Sequence, residues 1–418
     1  MALEIDHCFK PVKLANGRLM NALLAYESDR AYVFQDYVWK TDYYPWQPVT
    51  PPWPRTPLNA IIAGPVAGGL WGPGDPAPRS ISERWFDVVC PKSERLVLNT
   101  KDIKPAVQWE NGDVIFDHWK RILREAPERC IEVIPAPSEV DGFPQTFDLW
   151  LWGTTRVLTL WEKFSASPIS RLLETSPLVN SAIDRNEYLF YPRGPRTKDP
   201  VTRNPYERMM AVHVRRGDYK DACVGLATWN STYYSWNLLP ALPDHFEPPP
   251  GGSWGYNTPE NTEKYLEHCW PTPEALLQKI HTAREEYIAA SSPGTVLDIM
   301  YILTNQAGDW LDELKRELQK DGYNTIVTSR DLVLDQDQIG VNMAIDMDIS
   351  RRAAVFIGNG VSAVFLYVLM PGILICFSGP HSRVISYIDD WWMGKSLSAF
   401  DSGNCIDLTV VLDFYSDS

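Results

Sequence analysis

The stretch Met209-Met-Ala-Val-His-Val-Arg-Arg-Gly-Asp218 decides how this chain is read. Met209-Met-Ala-Val212 is a short apolar run of the kind that forms a strand buried on both faces. His213, Arg215 and Arg216 follow at once, so the charged groups fall at the carboxyl end of that strand. In open α/β sheets ligands bind at that edge. A strand turns successive side chains to opposite faces, which sets His213 and Arg215 together and sends Arg216 the other way. Guanidinium is a planar fork of donors with a permanent charge, matched to the oxygens of a diphosphate. The same residues have two other readings. One is a surface arginine pair ending a strand; the other is an adhesion tripeptide, Arg216-Gly-Asp218, which requires exposure.

Downstream of this stretch, strands over 296–303, 325–327, 355–357 and 373–377 alternate with helices over 273–290, 310–318, 343–354 and 361–369. Strand and helix in alternation with short connections predict a parallel sheet. Upstream, Asn16-Gly17-Arg18 opens a helix over 19–26, and a strand follows over 30–34. Further strands are expected at 87–90, 95–98, 113–116, 130–134 and 148–152, and a helical segment over 168–189. Two excursions interrupt the pattern: residues 45–79, with ten prolines, and 224–270, rich in Pro, Gly and Trp. Tyr191-Pro-Arg-Gly-Pro195 breaks the chain into an amino-terminal domain over 1–195 and a carboxyl-terminal domain over 205–385. The tail, 386–418, is expected to pack back on the first domain.

Length and composition fit two globular domains. The chain has 418 residues, of which 44% are hydrophobic, enough for full cores. A net charge of -14 argues against nucleic acid or an anionic membrane as the main partner, so an anion site has to be a local basic pocket. The 34 prolines and 17 tryptophans suggest long ordered loops with aromatic surfaces, suited to holding an acceptor. The apolar run 353–377 is long enough to span a bilayer, but Gly358-Asn-Gly360, Ser362 and Met370-Pro-Gly372 cut it into three pieces. No transmembrane segment is expected from it, and residues 1–19 lack the continuous apolar core of a signal peptide.

Seven cysteines show no metal-ligand spacing. Cys223 and Cys269 bracket the second excursion and could close it as a disulfide, whereas Cys376 reads as an inert buried thiol. Asn230-Ser-Thr232 is the only glycosylation sequon, relevant in a secretory compartment.

A second constellation consists of Asp346 and, twelve residues on, Gly358-Asn-Gly-Val-Ser362. A strand ending in glycine before a helix brings backbone N–H groups close to a phosphate, and the helix dipole favours its charge. Ser362 adds a hydroxyl. An ionised Asp346 only accepts, which suits the paired N–H donors on the edge of guanine. Each has an ordinary alternative, a helix cap and a solvated helix carboxylate. Asp346-Met-Asp348 has the spelling of a metal-binding triad, but on a helix its carboxylates diverge by about 200°.

In order and spacing, His213-Val-Arg-Arg-Gly-Asp218, Thr304, Asp346 and Ser362 resemble the carboxyl half of GDP-fucose-dependent fucosyltransferases, the protein O-fucosyltransferases and α1,6-fucosyltransferases. At the other end, Asn16-Gly-Arg-Leu-Met-Asn21 looks like that family's first loop. The resemblance implies a GT-B fold, with two Rossmann-like domains facing a central cleft. It implies an inverting, metal-independent transfer of fucose from GDP-fucose to a hydroxyl of a protein or glycan acceptor, with no cofactor, in the lumen of the secretory pathway. Arg215 would then bridge the β-phosphate and the departing oxygen, with His213 and Arg216 supporting it. Asp346 would bind guanine. Asn359, Gly360 and Ser362 would hold the phosphates, and Asn16, Gly17 and Asn21 would line the nucleotide-sugar site. Lys220, Asp221, Glu27 and Asp36 are the candidate bases. The chain departs from the family at Asn305-Gln306, where acidic residues are usual, and at Val361, a hydroxyl position. A nucleotide-sugar-binding protein without turnover, or a transferase using another sugar nucleotide, is the alternative these departures favour.

Overall fold

The computed structural model describes residues 7–12, 17–38, 55–191, 204–217, 219–240, 242, 245–358 and 383–386. Two compact units divide the chain. The first holds residues 1–181 and takes back Leu334–Ala344; the second begins at Ala182. This division falls before the proline-rich break near residue 195, and the return of Leu334–Ala344 was not foreseen. The 386–418 tail lies outside the described residues.

Each unit is built on a five-stranded parallel sheet. In the first the order is Ile81–Ser82, Ala31–Phe34, Cys8–Lys10, Cys130–Ile134, Arg95–Asn99. In the second it is Thr325–Thr328, Ile299–Thr304, Met209–Val214, Val355–Gly358, Arg383–Ser386. Numbered along the chain, the second order is 3-2-1-4-5, that of a Rossmann sheet through its fifth strand. Its first strand is central because its opening four residues are apolar: Met209, Met210, Ala211 and Val212 are all buried.

Alternation along that strand sorts the core. Met210, Val212 and Val214 join Met300, Ile302, Val355 and Ile357 in a cluster sealed by Leu276, Ile280 and Ala283 of the helix Pro273–Ala289 and by Leu311, Leu314 and Leu318 of the helix Asp309–Lys320. The spacing of those helical residues, three to four apart, is the stripe that a helix must bury. A bidentate pair from Arg208 to Asp298, at 2.9 and 2.5 Å, joins the entrances of the first two strands.

Four expected elements turned out differently. Residues 87–90 fall at the end of a helix, Glu83–Val89, started by the Ser82 hydroxyl accepting from Trp85 N at 3.2 Å. Residues 113–116 belong to the helix Gly112–Glu125, whose buried Ile115, Phe116, Trp119 and Leu123 repeat at helical spacing. The alternating Asp148-Leu-Trp-Leu-Trp152 is a single helical turn capped by Asp148, with the adjacent Leu151 and Trp152 both buried. One expected helix over 168–189 is two, Pro168–Arg171 and Pro177–Asn186, separated by Glu174–Thr175, which pairs with Ile62–Ala63. The strand Arg383–Ser386 was not anticipated, and the expected elements at 361–369 and 373–377 lie outside the described residues.

Two disulfides lock the units. Cys223–Cys269 closes the second excursion, a pairing the sequence left open, and joins the helices Tyr219–Thr228 and Pro259–Cys269. Cys90–Cys130 joins the end of the helix Glu83–Val89 to the strand Cys130–Ile134. Cys8, paired in register with Cys130, is a buried free thiol whose pKa burial pushes up to about 11. No helix among the described residues is long and apolar enough to cross a membrane.

Candidate functional site

The strand order of the second unit reverses between Met209–Val214 and Val355–Gly358, the position at which such sheets bind ligands. Val212 pairs with Ile357, which sets the next residues, His213 and Gly358, side by side near the ends of their strands. The strand runs two residues further than expected, to Val214, and Arg215 is the first residue past it.

His213 sits on the face opposite the helical core cluster. It is half-buried and neutral: burial first, and the Arg215 guanidinium second, lower its pKa to about 4. Arg215 is half-buried, its guanidinium 5.5 Å from the centre of the Tyr219 ring. A charged guanidinium therefore stands beside an uncharged imidazole that does not compete with it for an anion.

Arg216 points the other way, as alternation requires, and it is a buried residue. Its guanidinium lies between two indoles, 4.7 Å from the centre of Trp270 and 5.0 Å from that of Trp310, and Nη2 donates to Pro271 O at 2.6 Å. At 7% exposure it excludes the adhesion reading of Arg216-Gly-Asp218. Its backbone is held as well. Arg216 N donates to Asn305 Oδ1, and Asn305 Nδ2 donates to Arg216 O, both at 2.9 Å. Gly217 completes the turn at φ 70°, where a Cβ would be strained. On this side an open cleft of about 470 Å³ is lined by Arg216, Gly217, Trp270, Gln306 and Trp310. Neither His213 nor Arg215 is part of that lining.

Asp346 lies on the helix Asn342–Arg352 and is not a solvated helix carboxylate. Tyr301, fully buried on the second strand, donates its hydroxyl to Asp346 Oδ1 at 2.5 Å. Burial raises the Asp346 pKa to about 6, against the hydrogen bond from Tyr301 that holds it down. The same burial, with the carboxylate alongside, raises the Tyr301 phenol well above its ordinary value. Asp348 faces other partners, Arg351 at 2.6 Å and Arg352 at 2.7 Å, so the two carboxylates diverge as the helix dictates.

In the first unit, Gly17 (φ 76°) precedes the helix Arg18–Glu27 at the carboxyl edge of that sheet. Asn21 Nδ2 donates to Gly17 O at 2.9 Å, while the buried Oδ1 has no hydrogen-bond partner among the described residues. Arg18 donates to Gln35 O at 2.5 Å and Asp36 O at 3.4 Å, tying the loop after the second strand to the start of the helix. The Asp36 side chain pairs with Arg84 at 3.6 Å. Glu27 is ion-paired with Lys120 at the opposite end of the helix from Gly17. Lys220 and Asp221 are exposed in the first turn of Tyr219–Thr228. Asn16, Asn359, Gly360 and Ser362 lie outside the described residues.

The structure thus joins His213 and Arg215 at the switch point and separates Arg216 from them. Trp270, Trp310 and Tyr301, which fix the surroundings of these residues, carry no local sequence signal; each is recognisable only by the residue it contacts in the fold.

These features define a Rossmann-type α/β protein with a guanidinium at the switch point of its second sheet. Two crystal structures of POFUT1 in complex with GDP-fucose share its fold, with TM-scores of 0.50 and 0.51 at 15% and 16% sequence identity. Each match covers 92% of this chain and 99% of the other. No protein-family model matches the chain, and neither does any curated protein.

Proposed function

We propose that the chain is an inverting, metal-independent glycosyltransferase of GT-B architecture that moves fucose from GDP-fucose to a hydroxyl of a protein or glycan acceptor. The observation that carries this reading is the placement of Arg215 and His213 where the central strand of a 3-2-1-4-5 sheet ends. Departure of a nucleoside diphosphate builds negative charge on the leaving phosphate. A fixed cation there is worth more in the transition state than in the ground state, and that difference is what accelerates transfer. Arg215 supplies the cation; neutral His213 supplies a donor or acceptor beside it. Arg216 contributes by holding the loop rather than by touching the donor. Asp346 would offer guanine the oxygen not engaged by Tyr301.

Gly17 and Asn21 would line the donor site from the first unit together with Asn16, and Asn359, Gly360 and Ser362 would hold the phosphates. For the base, Asp36, Lys220 and Asp221 lie at the carboxyl edges of their sheets, whereas Glu27 is engaged by Lys120 away from that edge. The two disulfides support a location in the secretory lumen, an oxidising compartment. A GDP-sugar-binding protein without turnover is the second reading. It is favoured by Asn305, whose amide is committed to the Arg216 backbone at the family's acidic position.

Calorimetry with GDP, UDP and ADP tests the donor, and a GDP-fucose hydrolysis assay tests turnover. Preference for GDP with hydrolysis is expected. Equal binding of the three nucleotides would remove the fucosyltransferase reading; GDP binding with no hydrolysis or transfer would leave the second one.

A further inference from the structure

The sequon Asn230-Ser-Thr232 has no part in the transfer reaction, yet the fold gives it a specific setting. It follows directly on the helix Tyr219–Thr228. Asn230 occupies the left-handed region at φ 51°, which asparagine tolerates better than most residues. Asn230 N and Ser231 N donate to Ala227 O and Leu226 O at 2.9 and 3.0 Å, closing the helix end.

The amide is oriented by its neighbours. Asn257 Nδ2 donates to Asn230 Oδ1 at 3.3 Å and to Ala227 O at 2.8 Å. A Cβ on Gly252 would come within 2.4 Å of the same Oδ1, so the backbone of Gly252 packs directly against it. The oxygen is thereby held inward, and Nδ2 makes no hydrogen bond among the described residues.

Three large exposed aromatics flank the residues that touch this amide: Trp229 precedes Asn230, and Trp254 and Tyr256 lie between Gly252 and Asn257, at 50%, 67% and 59% exposure. The two indoles are 5.1 Å apart, tilted by 45°. Grouped aromatics in water mark a surface that something covers. Flat aromatic faces suit the C–H faces of pyranose rings, and the nearest attachment point for a sugar is Asn230 itself. The excursion is also clamped by Cys223–Cys269, a bond that persists where N-linked oligosaccharides are attached.

We propose that Asn230 is an N-glycosylation site and that the first sugars of its glycan lie over Trp229, Trp254 and Tyr256. The donor is a lipid diphosphate-linked oligosaccharide. A bond forms between its anomeric carbon and Asn230 Nδ2, the anomeric C–O bond to the diphosphate breaks, the lipid diphosphate leaves with the electron pair, and the amide nitrogen loses one proton. Thr232 supplies the hydroxyl the sequon requires; in the folded chain it donates to Phe246 O at 3.0 Å. This inference rests on the proposed lumenal location and not on the choice of GDP-fucose as donor.

The test is the full chain, carried into the secretory pathway of cultured eukaryotic cells by an added leader and recovered from the medium. Intact-mass spectrometry is expected to show the chain heavier than its polypeptide. Peptide-N-glycosidase should remove the excess and leave Asp in place of Asn230 in the peptide map. Thr232→Ser should keep the excess and Thr232→Ala should lose it, although neither alters the asparagine. A secreted wild-type chain with the bare polypeptide mass, or a glycan mapped elsewhere, overturns the site. For the stacking, acrylamide quenching of tryptophan fluorescence should rise on deglycosylation, and the rise should vanish in the Trp229→Ala, Trp254→Ala double variant. Unchanged quenching overturns that part.

Discussion

Replacing Arg216 with alanine should destabilise the protein while replacing Arg215 should not, although the two residues are adjacent and identical. The Arg216 guanidinium lies within 4.7 and 5.0 Å of two indole centres and donates to Pro271 O at 2.6 Å. Each cation–π contact contributes about 0.5–2 kcal/mol, and a hydrogen bond from a charged donor about 1.5–3 kcal/mol. Relief from burying the charge offsets part of that sum, leaving a loss of roughly 2–4 kcal/mol. For a unit of this size that is a fall in Tm of roughly 5–15 °C. Arg215 is half-buried with one ring contact at 5.5 Å, and its removal should cost at most about 1 kcal/mol. Thermal scans of wild type, Arg215→Ala, Arg216→Ala and Arg216→Lys measure this directly. Lysine keeps the charge but not the plane or the fork, so its Tm should lie between those of wild type and alanine. If Arg216→Ala melts with the wild type, or Arg215→Ala falls as far as Arg216→Ala, the assignment of one face to structure and the other to ligand is wrong.

Arg215→Ala should lower transfer roughly 10²–10³-fold with Tm nearly unchanged, as measured by donor turnover alongside the melting scan. Two groups on the second sheet should oppose each other in pH-dependence. His213, lowered from 6.5 to about 4, makes stability rise as pH climbs between those values; Asp346, raised from 3.8 to about 6, makes it fall over nearly the same range. Each contributes up to about 3 kcal/mol. Asp346→Asn should therefore expose a rising profile between pH 4 and 6.5 in denaturant titrations; the same profile as wild type would show that the carboxyl titrates normally. Removing the Cys223–Cys269 bond, which spans 46 residues, should cost about 4 kcal/mol by loop entropy, read as a lower denaturation midpoint of Cys223→Ser, Cys269→Ser. Arg30 donates to the carbonyls of Leu123, Ala126 and Glu128 at the end of the helix Gly112–Glu125, and Arg30→Ala should lower the denaturation midpoint by an amount equivalent to roughly 2–4 kcal/mol.

The second unit was legible because its strands are buried on both faces and its helices carry a single apolar stripe, patterns that require nothing from afar. Even the divergence of Arg215 and Arg216 followed from the two-residue period of a strand. The first unit misled where apolar runs were short. Asp113-Val-Ile-Phe116 looks like a strand until Trp119 and Leu123 are counted with it, and Asp148-Leu-Trp-Leu-Trp152 alternates although its first residue caps a helical turn. What surrounds the site was not legible at all. Trp270 and Trp310 meet Arg216 across long stretches of chain, and Tyr301 claims Asp346 from a neighbouring strand. The Cys90–Cys130 pairing, likewise, joins a helix end to a strand that spacing alone does not bring together.

The reciprocal pair of bonds between the Asn305 amide and the Arg216 backbone acts as one more rung of the parallel ladder, set beyond the last backbone pairing of Val214 with Thr304. A side chain with both a donor and an acceptor is the only kind that can make such a rung. Aspartate would still accept from Arg216 N, but it would turn a second oxygen toward Arg216 O and push the loop away. An ionised carboxylate at this position therefore disfavours the present path of residues 215–217. In this chain, a change of Asn305 reaches the turn that presents Arg215.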